Sequence, residues 1–78
     1  MRIRFFAGAA DAAGRREQQV DGPLALGDLR VRLADDLGPE FAAVLGRCSL
    51  MVDGTRGDDT AVASDSATVD VLPPFAGG

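Results

Sequence analysis

The chain has 78 residues, a formal net charge of −4 and an apolar fraction of 46%. That is the size of one domain, near the lower limit at which a single core holds a fold. It is too apolar for a disordered chain and lacks the basic face that nucleic-acid binding needs.

Cys48 is the only cysteine and there is no histidine, so no disulfide framework and none of the usual zinc constellations can form. All eight basic residues are arginine, so the chain carries no ε-amine. The opening MRIRFFAGAA has no apolar run long enough for a signal peptide or a membrane helix. The expectation is a cytoplasmic protein with no membrane partner.

RIRFFA (2–7) alternates, with Ile3 and Phe5 on one face and Arg2, Arg4 and Phe6 on the other, which predicts a strand. GAADAAG (8–14) is small and bounded by glycines, and reads as a short helical turn or loop. RREQQV (15–20) is a second strand and DGP (21–23) a turn. GDLRVRLADDLG (27–38) is the best helix. Leu29, Leu33 and Leu37 form one stripe, Val31 and Ala34 widen it, and Arg30, Arg32, Asp35 and Asp36 face away. Asp28 suits the positive end of the helix dipole, and Gly38 followed by Pro39 stops the helix.

PEFAAVLG (39–46) adds a short helical piece in which Phe41, Val44 and Leu45 cap the core. CSLMV (48–52) is a strand and Asp53-Gly54 a hairpin turn. Residues 55–66 are polar and loop-like, with a weak strand near Thr60–Ala63, and ATVDVL (67–72) is the final strand. The order predicts an α+β fold, a small mixed sheet with one main helix across one face.

Cys48 opens an apolar strand with no histidine to activate it, so it reads as a packed thiol. Arg56-Gly57-Asp58 reads as a turn. The run from Asp53 fails as a calcium loop, because Asp58 stands where the sharp-turn glycine belongs and Ser64 where the bidentate glutamate belongs.

The chemistry-bearing stretch is VLPPFAGG. Pro73 and Pro74 cannot donate to a ladder and stiffen the next residues toward an extended path. Phe75 and Ala76 are apolar, and Gly77 and Gly78 have no Cβ and fit a channel too narrow for other residues. Residues 73–78 therefore read as a thin, directed stalk on a domain spanning 1–78, with the carboxylate of Gly78 at its tip.

RIRFFA, the central helix, LMVDG and the terminus VDVLPPFAGG together resemble the MoaD/ThiS sulfur carriers of the ubiquitin-like β-grasp fold, most of all the small subunit of molybdopterin synthase. Members often carry Arg-Glu soon after the first strand, where this chain has Ala10–Asp11, and Asp-Gly-Asp before the last strand, where it has Asp65–Ser66–Ala67. The resemblance implies a carrier that is not catalytic alone and binds no cofactor. A ubiquitin-activating-type adenylyltransferase uses ATP to adenylate the Gly78 carboxylate. A persulfide sulfur donor converts it to a thiocarboxylate, and the tail delivers sulfur inside the synthase large subunit during molybdenum cofactor biosynthesis. Thiamine or cysteine biosynthesis, or modification of other proteins, are the alternatives. Alternation puts Arg4, Phe6, Asp70 and Leu72 on the sheet face away from the helix, so that an exposed patch of Phe6 and Leu72, leading into Phe75, is the expected partner-binding surface.

Overall fold

Ile3 and Phe5 turn inward from the first strand and Val69 and Val71 from the last, and all four are buried. The computed structural model describes residues 1–74. Its elements are β1 (Arg2–Phe5), α1 (Ala7–Ala13), β2 (Glu17–Gln19), β3 (Leu24–Ala25), α2 (Leu26–Leu37), α3 (Pro39–Leu45), β4 (Ser49–Val52), β5 (Thr55–Gly57), β6 (Val62–Ala63) and β7 (Thr68–Leu72).

Five strands form one sheet in the order β2-β1-β7-β4-β5. β1 and β7 run parallel at its centre, with Ile3 opposite Val69 and Phe5 opposite Val71; the other pairs are antiparallel. One face of the sheet is covered. Leu26, Leu29 and Leu33 of α2 and Phe41 and Leu45 of α3 pack with Ile3, Phe5, Leu50, Val69 and Val71 in one cluster. Phe5 and Phe41 meet edge to face at 5.5 Å, a geometry aromatic quadrupoles favour.

Several local expectations change. Of the two readings left open for residues 8–14, the helical one holds, as α1 over Ala7–Ala13. α1 ends at Gly14, whose φ of +70° glycine adopts at little cost and whose N–H bonds the Ala10 carbonyl. The buried stripe of α2 begins a turn earlier, at Leu26, whose N–H bonds the Ala61 carbonyl at 2.8 Å. Val31 does not widen that stripe, being 61% exposed.

Arg30 does not face away. Its guanidinium donates to the carbonyls of Leu45 at 2.7 Å and Cys48 at 2.8 Å, tying α2 to the link between α3 and β4. Leu45 is the last residue of α3, where backbone carbonyls have no partner within the helix, and Cys48 lies three residues further on.

The stretch expected to be loop-like from residue 55 contains β5. Met51 pairs with Arg56 and Leu50 with Gly57 across a tight turn. Asp53 and Gly54 have φ values of +48° and +86°, as a two-residue hairpin of this hand requires. A Cβ on Gly57 would lie 2.6 Å from Leu26 Cδ1 and 3.1 Å from Ala61 Cβ, so the strand passes too close to α2 for a larger residue. The weak strand is confined to Val62–Ala63 and pairs with the unforeseen β3 in a separate ribbon.

Cys48 is buried, its Sγ donates to the Val44 carbonyl at 3.2 Å, and burial pushes the thiol up. Arg56 and Gly57 lie in β5, while Asp58 shapes the turn after it. No group of three or more His, Cys, Asp or Glu that could hold a metal occurs among the described residues. No helix among them is long and apolar enough to cross a membrane.

Candidate functional site

The uncovered face of the sheet follows from strand register, because directly paired residues point the same way. Glu17, Arg4, Asp70, Met51 and Arg56 form one row across all five strands. Arg4 and Asp70 stand at its centre. The guanidinium donates through Nε to one carboxylate oxygen at 2.6 Å and through Nη2 to the other at 2.9 Å, a two-pronged pair. This hydrogen bonding, and then the charge of Asp70, raise the Arg4 pKa further above its already high range. The Arg4 guanidinium also sits over the Phe6 ring, 5.5 Å from its centre, where the negative π face attracts a cation. Beside it, Arg2 pairs with Glu17.

Phe6 leaves β1 toward α1. Its N–H bonds the Val71 carbonyl at 3.2 Å, and its own carbonyl accepts the N–H of Ala9 at 3.0 Å. Its extended backbone, φ −119° and ψ 148°, caps α1. The next residue, Ala7, has a φ of +48°, which turns the chain sharply at the cost a side chain bears in that region. An open groove lies here, lined by Phe6, Ala7, Ala10, Asp11 and Arg16. Ala10 and Asp11, which stand where the resembled family often has Arg-Glu, thus sit beside Phe6.

Leu72 ends β7 opposite Ser49, at the same end of the sheet as Phe6. Phe6 and Leu72 are both half-buried rather than open; among the described residues the large apolar ones with wide exposure are Val31 and Val62. Pro73 is half-buried and Pro74 exposed. Phe75, Ala76, Gly77 and Gly78, the rest of the expected tail, lie outside the described residues. The structure therefore brings Arg4, Phe6 and Leu72 to one end of the uncovered face, where β7 leads into Pro73. The sequence reading missed the grip of Asp70 on Arg4, although their alternating positions already put both on one face.

The fold has known counterparts along nearly its whole length. SAMP1 from Haloferax volcanii superposes with a TM-score of 0.78 at 24% identity, covering 100% of this chain and 98% of that one. A candidate molybdopterin converting factor, subunit 1, from Pyrococcus furiosus gives a TM-score of 0.81 at 19% identity, covering 95% of each chain. Small archaeal modifier protein 1 from Methanosarcina acetivorans gives 0.78 at 22% identity, covering 99% of this chain and 94% of that one. No protein-family model matches the sequence, and no curated protein matches it significantly. The chain has the ubiquitin-like β-grasp fold. Its resemblance to the MoaD/ThiS carriers holds at the level of that fold.

Proposed function

We propose that this chain is a ubiquitin-like sulfur carrier that works through the carboxylate of Gly78 as the small subunit of a molybdopterin synthase. The observation that carries this reading is the placement of β7. It is a central strand, bonded on both sides, and it leads directly into the Pro-Pro-Phe-Ala-Gly-Gly sequence. A strand bonded on both sides fixes the point from which the following residues start. Positioning of that kind is what a delivery protein contributes to a reaction.

A carboxylate is a poor electrophile. ATP activation at a partner enzyme forms the acyl-adenylate at Gly78 and releases pyrophosphate. A persulfide sulfur attacks the carbonyl carbon, and AMP leaves with the bonding pair. A thiol then cleaves the sulfur–sulfur bond, leaving the thiocarboxylate on the chain. The nucleophilic sulfur passes to a pterin precursor in the large subunit. Arg4, Phe6, Leu72 and Phe75 dock that partner, and Ala76 and Gly77 belong to the tail that ends at the reacting carboxylate.

A second reading, the protein modifier, is supported by the modifier structures among the neighbours. In that reading the activated acyl group goes to a lysine amine of another protein instead of to sulfur.

Intact-mass spectrometry after incubation with an activating enzyme, ATP and a persulfide donor separates these readings. Replacement of one oxygen by sulfur is expected on the wild-type chain and absent from a chain lacking Gly78 or extended by a tag beyond it. Amide-linked adducts on other proteins, with no sulfur gained, would favour the modifier.

A further inference from the structure

We infer that the free edge of β2 is a self-association surface, on which a second copy of this chain pairs antiparallel about a two-fold axis at Gln18 and joins the two sheets into one. The inference goes beyond the sulfur-carrier reading and does not rest on it.

β2 is an outer strand of the five-stranded sheet. Toward β1, the Phe5 N–H bonds the Arg16 carbonyl at 2.9 Å and the Val20 N–H bonds the Met1 carbonyl at 3.0 Å. Gln18 stands between these bonds, opposite Ile3. In an antiparallel ladder, residues bonded to the neighbouring strand alternate with residues whose N–H and C=O point the other way. Glu17 and Gln19 are the ones that point away from β1, and both are exposed. An open edge of this kind is a template for another strand.

Charge selects the occupant. Arg15 and Arg16 stand immediately before β2 and Asp21 shortly after it, all three exposed. None of the three has an ion-pair partner among the described residues. Arg15 Nη1 donates to the Gln18 side-chain oxygen at 3.4 Å, which keeps the guanidinium alongside the strand. Basic at its start and acidic at its end, this segment is its own charge complement when run in the opposite direction. Such a self-complementary patch is what a two-fold interface requires.

Charge also selects the register. Pairing about Gln18 sets Glu17 against Gln19 of the second copy, and their backbones exchange N–H···O=C bonds. The same register brings Arg15 of each copy beside Asp21 of the other, a favourable cross-strand pair. An axis at Glu17 would face that carboxylate with its own copy, and an axis at Gln19 would face Glu17 with Asp21; like charges so opposed are destabilising. The other outer strand, β5, has Arg56 as its middle residue, so pairing about its centre would set a guanidinium against itself.

A contact built on one short strand belongs with the small, transient interfaces, below about 1,200 Å² in total. The dimer is therefore expected to form in concentrated solution and to dissociate on dilution, read by sedimentation equilibrium over a series reaching about 1 mM. Arg15→Asp and Asp21→Arg, each checked for folding by circular dichroism, are expected to weaken association about 10-fold. An equimolar mixture of these two variants is expected to restore it, since each then meets its opposite at both ends. Gln19→Pro removes an outward N–H at an edge position where proline is tolerated, and is expected to abolish association while the fold is kept. A monomer throughout the series overturns the proposal and leaves the edge to a strand of another protein. Association unchanged in both charge variants overturns it equally, because another face then carries the contact.

Discussion

Arg4 shows how one side chain organises a surface. It joins the two central strands through Asp70 and lays its cation against Phe6. The pair is accessible to water, with 40% and 18% of the two side chains exposed, so its contribution is modest. Asp70→Asn is expected to lower the melting temperature by a few degrees at most, since exposed ion pairs contribute little, read by thermal denaturation. Asp58 offers a pH signature. Its carboxylate accepts hydrogen bonds from Thr60 Oγ1 at 2.6 Å and Thr60 N at 2.9 Å, and this bonding lowers its pKa. A depressed carboxyl stabilises the fold above its ordinary range, and the benefit is lost as pH falls through the folded value. Thr60→Ala is therefore expected to be less stable than the wild type at neutral pH, with the gap closing below about pH 4. Denaturation at several pH values, with an NMR titration of Asp58, checks both the sign and the window.

Among the elements, those with a strong period of their own were legible. β1, α2, β4 and β7 carry alternating or helical apolar patterns, and each lies close to where the pattern predicts. β5 has no such pattern. Its three residues are a strand because β4 and the Asp53-Gly54 turn hold them there, and pairing across a turn leaves little mark on the sequence of the second strand. Arg30 escaped for a related reason: helical periodicity places it on the polar side, yet the carbonyls it bonds belong to residues fifteen and eighteen positions on. At the candidate site, alternation put Arg4, Phe6, Asp70 and Leu72 on one face, but the half-burial of Phe6 and Leu72 follows from how the chain turns into α1. At Gly57 an added Cβ would press on the Leu26 side chain of α2. Gly57→Val is expected to destabilise by about 1–3 kcal/mol through overpacking against Leu26, measured by chemical denaturation. A neutral result would mean that α2 can move aside.

At the scale of the whole molecule, the two faces of the sheet differ. One is sealed by α2 and α3; the other carries the ionic row and the Phe6–Leu72 end. Phe6 lies outside the buried cluster, so Phe6→Asp is expected to leave the fold largely intact while weakening association with the tail-receiving subunit by about 30-fold or more if Phe6 anchors that contact. Circular dichroism and titration calorimetry read the two effects independently. Unfolding of the variant would assign Phe6 to the core.

The parallel pairing of β1 with β7 also governs when the molecule can come into being. The strand made first needs, as its neighbour, the strand made last. Until residues 68–72 have left the ribosome, the sheet has a gap at its centre and β1 has only β2 beside it. Such long-range pairing makes folding wait for nearly the whole chain, and a fragment spanning 1–66 is expected to show no cooperative thermal transition. A chain terminated before residue 68 would then be left unfolded and exposed to proteases.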